Sequence, residues 1–138
     1  EKPCYFGKTG QASTVKLAMN QLIAGLTASF SLSLSLIEKE QVNIEQFMSV
    51  VRKSALYAPT FDKKLDRMLN SDFSKPNFPT KHLAKDIELF LTVAKNLGIE
   101  TCALKGVNEL LNKTLEQGLA NTDYSSIYAA VNSSILHK

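Results

Sequence analysis

A chain of 138 residues, 44% hydrophobic and 21% charged, is long enough for one domain with a real core, and this composition excludes wholesale disorder and collagen-like structure. The formal net charge of +3 comes from lysines and acids interspersed along the chain, with no basic stripe and no polybasic cluster, so neither nucleic acid nor a membrane surface is an expected partner. Cys4 and Cys102 form no Cys-x-x-Cys and make no ligand spacing with His82 and His137, which leaves no expected metal site.

In chain order, Gly7 and Gly10 of "GKTG" read as a glycine-built bend, and Val15, Met19, Leu22, Ile23 and Leu26 then recur at helical spacing. From 17 to 37 there are twenty-one residues without a charge, the length of a membrane span. Asn20, Gln21, Thr27, Ser29, Ser31, Ser33 and Ser35 make the stretch too polar for an isolated span and suit it to burial among other helices. Within it "SFSLSLSL" (29–36) alternates with the period of a strand. No turn separates it from the helical pattern before it, however, and no second strand candidate stands nearby to pair. One long helix over 13–39 is expected, in which Gly25, Ser29 and Ser33, four apart, let a neighbouring helix approach closely.

Asn43 with Gln46 three residues on forms a capping box for a helix to about 55, and Pro59 at a first helical position opens another to about 69. "SDFSKPNFP" (71–79) is a loop with two prolines. Thr80 is expected to cap a helix whose apolar positions Leu83, Ile87, Phe90, Leu91, Ala94 and Leu97 continue until Gly98. A fifth helix spans about 103–118, with Glu109 and Lys113 as a solvated i, i+4 pair, and Asp123 caps a last one through 124–136. Helix follows helix without βα alternation, so the fold class is all-α, about six helices around one long central helix. The six glycines form no G-x-G-x-x-G and no phosphate loop.

Chemistry enters with Lys16. Near a helix start the unpaired N–H groups disfavour a cation by roughly 0.3–1 kcal/mol, which favours a lysine ready to exchange a proton with a hydroxyl or carbonyl oxygen. Asn20, on the same face one turn later, is placed to hydrogen-bond the ammonium or a substrate oxygen. By spacing alone, a surface lysine and a polar neighbour in the helix's first turns is the reading that two such residues favour.

Gly7, Gly10, Lys16 and Asn20 resemble the G-x-x-G-x-G-x-x-x-K-x-x-x-N segment that joins the two domains of the β-hydroxyacid dehydrogenases, the family of 3-hydroxyisobutyrate dehydrogenase and the semialdehyde and glyoxylate reductases. "LIEKEQVNIEQF" (36–47), "FPTKHLAKDIEL" (78–89) and "GLANTDYSS" (118–126) resemble three further family segments in the same order, the second matching F-x-x-x-x-x-x-K-D. The resemblance covers nearly the whole chain and implies a C-terminal domain like that of 6-phosphogluconate dehydrogenase, with residues 1–138 as a single α-helical catalytic and dimerisation domain. The N-terminal Rossmann domain that binds NAD or NADP in the family has no counterpart here. The opening "EKPCYFG" looks like the exit from such a domain, so the chain is expected to be a fragment or excised domain.

Carried over residue by residue, the resemblance implies that Lys16 is the catalytic lysine and that Asn20 orients it and the substrate. It further implies that Lys85 reaches the cofactor and that Phe78 and Asp86 line the cleft. The chain departs from the family pattern at Ala12, where a third glycine is usual, at Met19, where a first asparagine is, at Leu32, where a glutamate is, and at Gln41, where a helix-ending glycine is. The implied function is the helical half of an NAD(P)-dependent oxidoreductase of small β-hydroxyacids or the corresponding semialdehydes, paired with its own Rossmann domain and forming a homodimer. The alternative is a non-catalytic helical oligomerisation or interaction module. With nothing at the N-terminus resembling a signal peptide, a cytoplasmic location is expected.

Overall fold

In the computed structural model of the chain, which describes residues 5–132, six α-helices and one 3₁₀ turn follow one another, and no strand is formed among these residues. The helices are α1 (Gln11–Lys39), α2 (Ile44–Arg52), α3 (Pro59–Leu69), α4 (Thr80–Asn96), α5 (Cys102–Glu116) and α6 (Ile127–Val131), the last preceded by the 3₁₀ turn Tyr124–Ser126. Cys4, His137, the first four residues of "EKPCYFG" and the expected helical residues 133–136 lie outside the described region.

The period-two stretch is helical throughout, because α1 is the axis on which every other helix packs. Tertiary burial overrides the local alternation. Ala24 and Ala28 of α1 meet Leu83 and Ile87 of α4, Leu104 and Leu111 of α5 and Ile127 of α6 in one core. Further along, Phe30 and Leu34 meet Met48 of α2, Phe61, Leu65 and Met68 of α3 and Tyr128 of α6 in a second, where Phe30 and Phe61 stack at 4.6 Å between centroids. Each such large side chain contributes roughly 1.5–3 kcal/mol by burial. Two of the three buried hydroxyls on α1 are satisfied within the helix, Thr27 donating to the Ile23 carbonyl and Ser31 to that of Thr27, both at 2.8 Å, while the buried Ser35 Oγ has no hydrogen-bond partner among the described residues.

α1 is long and apolar enough to cross a membrane by length and composition, yet its buried face lies inside this bundle. Of the small residues, Gly25 and Ser29 border an open groove lined on its other side by Ala103, Gly106 and Val107 of α5. Ser29 and Ser33 face outward with Met19, Leu22, Leu26, Leu32 and Leu36, and the close approach to α4 is made instead over Ala24 and Ala28.

The boundaries follow local chemistry. Asn43 accepts the Gln46 N–H at 2.9 Å, and Pro59 opens α3. α2 stops at Arg52, short of the expected 55. Thr80 is not a cap: it is the first residue of α4, fully buried, and its hydroxyl engages the Thr122 and Asp123 carbonyls and Ser126 Oγ. The first N–H groups of α4 are satisfied by another segment, Thr80 donating to Thr122 O at 2.9 Å and Lys81 to Ala120 O at 3.0 Å. Asp123 caps as expected, accepting the Ser125 N–H, although what it caps is the 3₁₀ turn that leads into a short α6.

Candidate functional site

The bend before α1 places the site. Gly7 and Gly10 have φ of 104° and 98°, a region L side chains avoid, and a β-carbon on Gly7 would collide with Gln11 Oε1, which accepts the Lys8 N–H at 2.9 Å. Gly10 occupies the N-cap of α1. Ala12, where the family pattern has its third glycine, is already inside the helix, so the turn is complete without that glycine.

Lys16 and Asn20 stand one turn apart on α1 and face the second turn of α4, where one carboxylate oxygen serves both. Asn20 Nδ2 donates to Asp86 Oδ2 at 2.6 Å, and Lys16 Nζ lies 3.5 Å from the same atom. A carboxylate only accepts, so the Asn20 amide must present its nitrogen. The Asp86 side chain is 13% exposed and that of Lys16 66% exposed, so a shielded acid holds an amine whose free donors point to the surface. Of the two roles that spacing offered Asn20, a direct bond to the ammonium is not formed. Asn20 and Lys16 meet at Asp86 Oδ2 rather than each other, and the ammonium has a counter-ion instead of facing the α1 N-terminus unaided.

Lys85, adjacent to Asp86, is exposed and makes no ion pair among the described residues. Phe78 is half-buried just before α4, and its ring partners are His82 at 6.4 Å and Tyr124, edge-on, at 6.2 Å. The structure thus brings Lys16, Asn20 and Asp86 together, sets Lys85 beside them, and anchors Phe78 to a different group of residues.

That group contains a residue that sequence reasoning missed. Lys64 of α3 is 5% exposed and lies 2.9 Å from both carboxylate oxygens of fully buried Asp123, with its ammonium 4.4 Å from the centre of the Tyr124 ring. Burial alone would raise the Asp123 carboxyl; hydrogen bonds from Ser125 and Lys64 outweigh it and hold the group below the usual carboxylate range. The signal was present, because Lys64 falls on the apolar stripe of Phe61, Leu65 and Met68, where a solvated lysine does not belong.

An all-α bundle around one long helix is the fold of a known family of domains. The family described as NAD-binding of NADP-dependent 3-hydroxyisobutyrate dehydrogenase matches residues 10–131, and the chain belongs to that family. It is 29% identical over 127 residues to the chloroplastic glyoxylate/succinic semialdehyde reductase 2 of Arabidopsis thaliana, covering 92% of this chain and 35% of that protein. It is also 21% identical over 126 residues to the cytokine-like nuclear factor N-PAC of Mus musculus, covering 91% of this chain and 23% of that protein. Among solved structures, a Mycobacterium tuberculosis 3-hydroxyisobutyrate dehydrogenase determined with L-serine superposes with a TM-score of 0.82 at 18% identity, over 93% of this chain and 46% of that one. A Salmonella typhimurium 3-hydroxyisobutyrate dehydrogenase gives 0.75 at 22% identity, over 86% and 41%. The chain therefore spans less than half the length of these relatives.

Proposed function

We propose that this chain is the helical half of an NAD(P)-dependent oxidoreductase of small β-hydroxyacids or the corresponding semialdehydes, and that Lys16 is its general acid/base. The observation that carries the reading is the pairing of Lys16 and Asn20 on α1 with the single Asp86 oxygen on α4. A proton donor for a substrate oxygen needs a fixed position and free N–H groups, and an ammonium tethered from below by a shielded carboxylate has both. In reduction Lys16 Nζ delivers a proton to the carbonyl oxygen as it becomes a hydroxyl; in oxidation it accepts that proton back. Asn20 keeps Asp86 in register, and Asp86 keeps the amine from swinging into solvent.

The residues fit one edge of a dinucleotide and no more. Lys85 offers an exposed ammonium without an acidic partner among the described residues, which suits an anionic group. The chain carries no glycine-rich phosphate loop, so a preceding Rossmann domain would hold most of the cofactor. When bound, NAD(P)H would supply the hydride that adds to the carbonyl carbon. Phe78 and Asp86 border the cleft in this reading, and the outward face of α1 meets a second copy of the chain.

The test uses the product of the complete gene, with glyoxylate and succinic semialdehyde as probes. Lys16→Ala is expected to lower kcat by roughly 10² to 10⁴ with the helical content unchanged, the contribution of a lost general acid/base. A loss below tenfold overturns the role of Lys16. Absence of any dinucleotide-binding segment from that gene overturns the enzyme reading and leaves a helical oligomerisation module.

A further inference from the structure

The Lys64–Asp123 pair lies outside the trio, and its partners converge on the segment that leads into α4. Asp123 Oδ2 accepts the Asn77 N–H at 3.2 Å, and Oδ1 accepts the Ser125 N–H at 3.1 Å and the Ser125 hydroxyl at 2.7 Å. The Asp123 backbone N–H reaches Phe73 O at 2.9 Å, and that of Tyr124 reaches Phe78 O at 3.1 Å. Pro79 and Asp123 form a bridge, and Thr80 and Lys81 donate into the carbonyls of Thr122 and Ala120. Phe78 is thereby held at both ends: its carbonyl by Tyr124 N–H and its ring by the edge of Tyr124, whose ring in turn lies against the Lys64 ammonium.

Two opposite charges are expensive to bury, and a loop of this size can be anchored by neutral hydrogen bonds alone. A buried pair that joins α3, the 73–79 loop and the C-terminal turn is directional in a way that apolar packing is not: the carboxylate that Lys64 engages also accepts the Asn77 N–H, so the loop is held in register against the same group. We propose that Lys64 is a positioning residue which, through Asp123 and Tyr124, fixes Phe78 and the start of α4 so that Phe78 and Asp86 face the substrate in one arrangement. This rests on the functional reading above for what Phe78 and Asp86 do, and on the structure alone for how they are held.

The experiment uses the complete gene product and the neutral pair Lys64→Met with Asp123→Asn, because Lys64→Met alone strands a buried carboxylate and can prevent folding. Expected for the neutral pair are native helical content, a rise of tenfold or more in KM for succinic semialdehyde with kcat changed less than threefold, and no shift in the pH profile of kcat. Phe78→Ala should give a KM rise of similar size, and adding it to the neutral pair should add little. Amide hydrogen exchange provides a readout independent of turnover: the N–H groups of Asn77, Thr80 and Tyr124 should exchange at least tenfold faster in the neutral pair, while those in the middle of α1 do not. Unchanged exchange at those three amides overturns the proposal, as does a lowered melting temperature with KM unchanged. If Lys16→Ala retains turnover while exchange responds as stated, the assignment of Lys16 as general acid/base fails and the positioning of Phe78 stands.

Discussion

Asp86 gathers two donors from one helix onto a single oxygen, and that sharing makes it the most informative residue to change. Asp86→Asn keeps the shape but removes the charge that holds Lys16, and it sets an amide against the Asn20 amide. Lys16 then gains a wider range of positions, and a displacement of about 1 Å at a reacting group costs on the order of 10² in rate. The expected outcome is a 10- to 100-fold fall in kcat with KM for the carbonyl substrate changed less, read by steady-state kinetics on the complete gene product. A kcat within threefold of wild type would show that Lys16 does not depend on this carboxylate. Lys16 and Asn20 were legible together, since four residues apart on a helix means one face. Their meeting point was not, because Asp86 is 66 residues from Asn20 and only the crossing of α1 and α4 brings it there. Lys64 was obscured for the same reason: 59 residues separate it from Asp123, and a lysine within "DKKLDR" reads as solvated until its place on the apolar stripe is counted.

At the scale of elements, local chemistry accounts for most boundaries and for none of the long-range ties. Asn43 and Pro59 started helices where their side chains dictate, because an N-cap oxygen and a proline ring act within one turn. Thr80 has the right residue type for a cap, yet its hydroxyl is taken by the 122–126 segment, a competitor that no local rule reveals. The "SFSLSLSL" alternation likewise yielded to packing on five other helices. The 122–126 segment also carries a pH dependence. Asp123 is held below its ordinary range in the folded chain, so the unfolded state binds its proton more readily, with a carboxyl near the reference value of about 3.9. Its stabilising contribution is complete above that value and is lost as pH falls through the folded-state value. Urea midpoints measured from pH 6 down to pH 2 should therefore fall more steeply for wild type than for the neutral pair Lys64→Met with Asp123→Asn, whose acid limb lacks this group. Identical acid limbs would assign the loss of stability to other carboxylates.

For the molecule as a whole, the unresolved matter is the side of α1 that this bundle leaves open. Met19, Leu22, Leu26, Leu32 and Leu36 are all exposed, with Leu22 at 52% and Leu36 at 61%, and helical spacing sets them on one face with Gly25, Ser29 and Ser33 between them. Leucines interleaved with small residues along several helical turns make a surface costly to leave in water and shaped to admit another helix. The sequence expectation that the small residues admit a neighbouring helix is therefore open to a helix outside the chain. In the functional reading that neighbour is a second copy, its α1 laid against this one. Leu22→Glu together with Leu36→Glu places charges at two points of the face without touching either core, so the fold should persist while association fails. Light scattering across a concentration series is expected to give twice the chain mass for wild type and the single-chain mass for the double variant. The apparent dissociation constant should rise at least a hundredfold, about 2.7 kcal/mol by the tenfold-per-1.4 relation. A wild type that stays monomeric at high concentration, or a double variant that still dimerises, would place the contact on another surface and leave this face of α1 to a different part of the same protein.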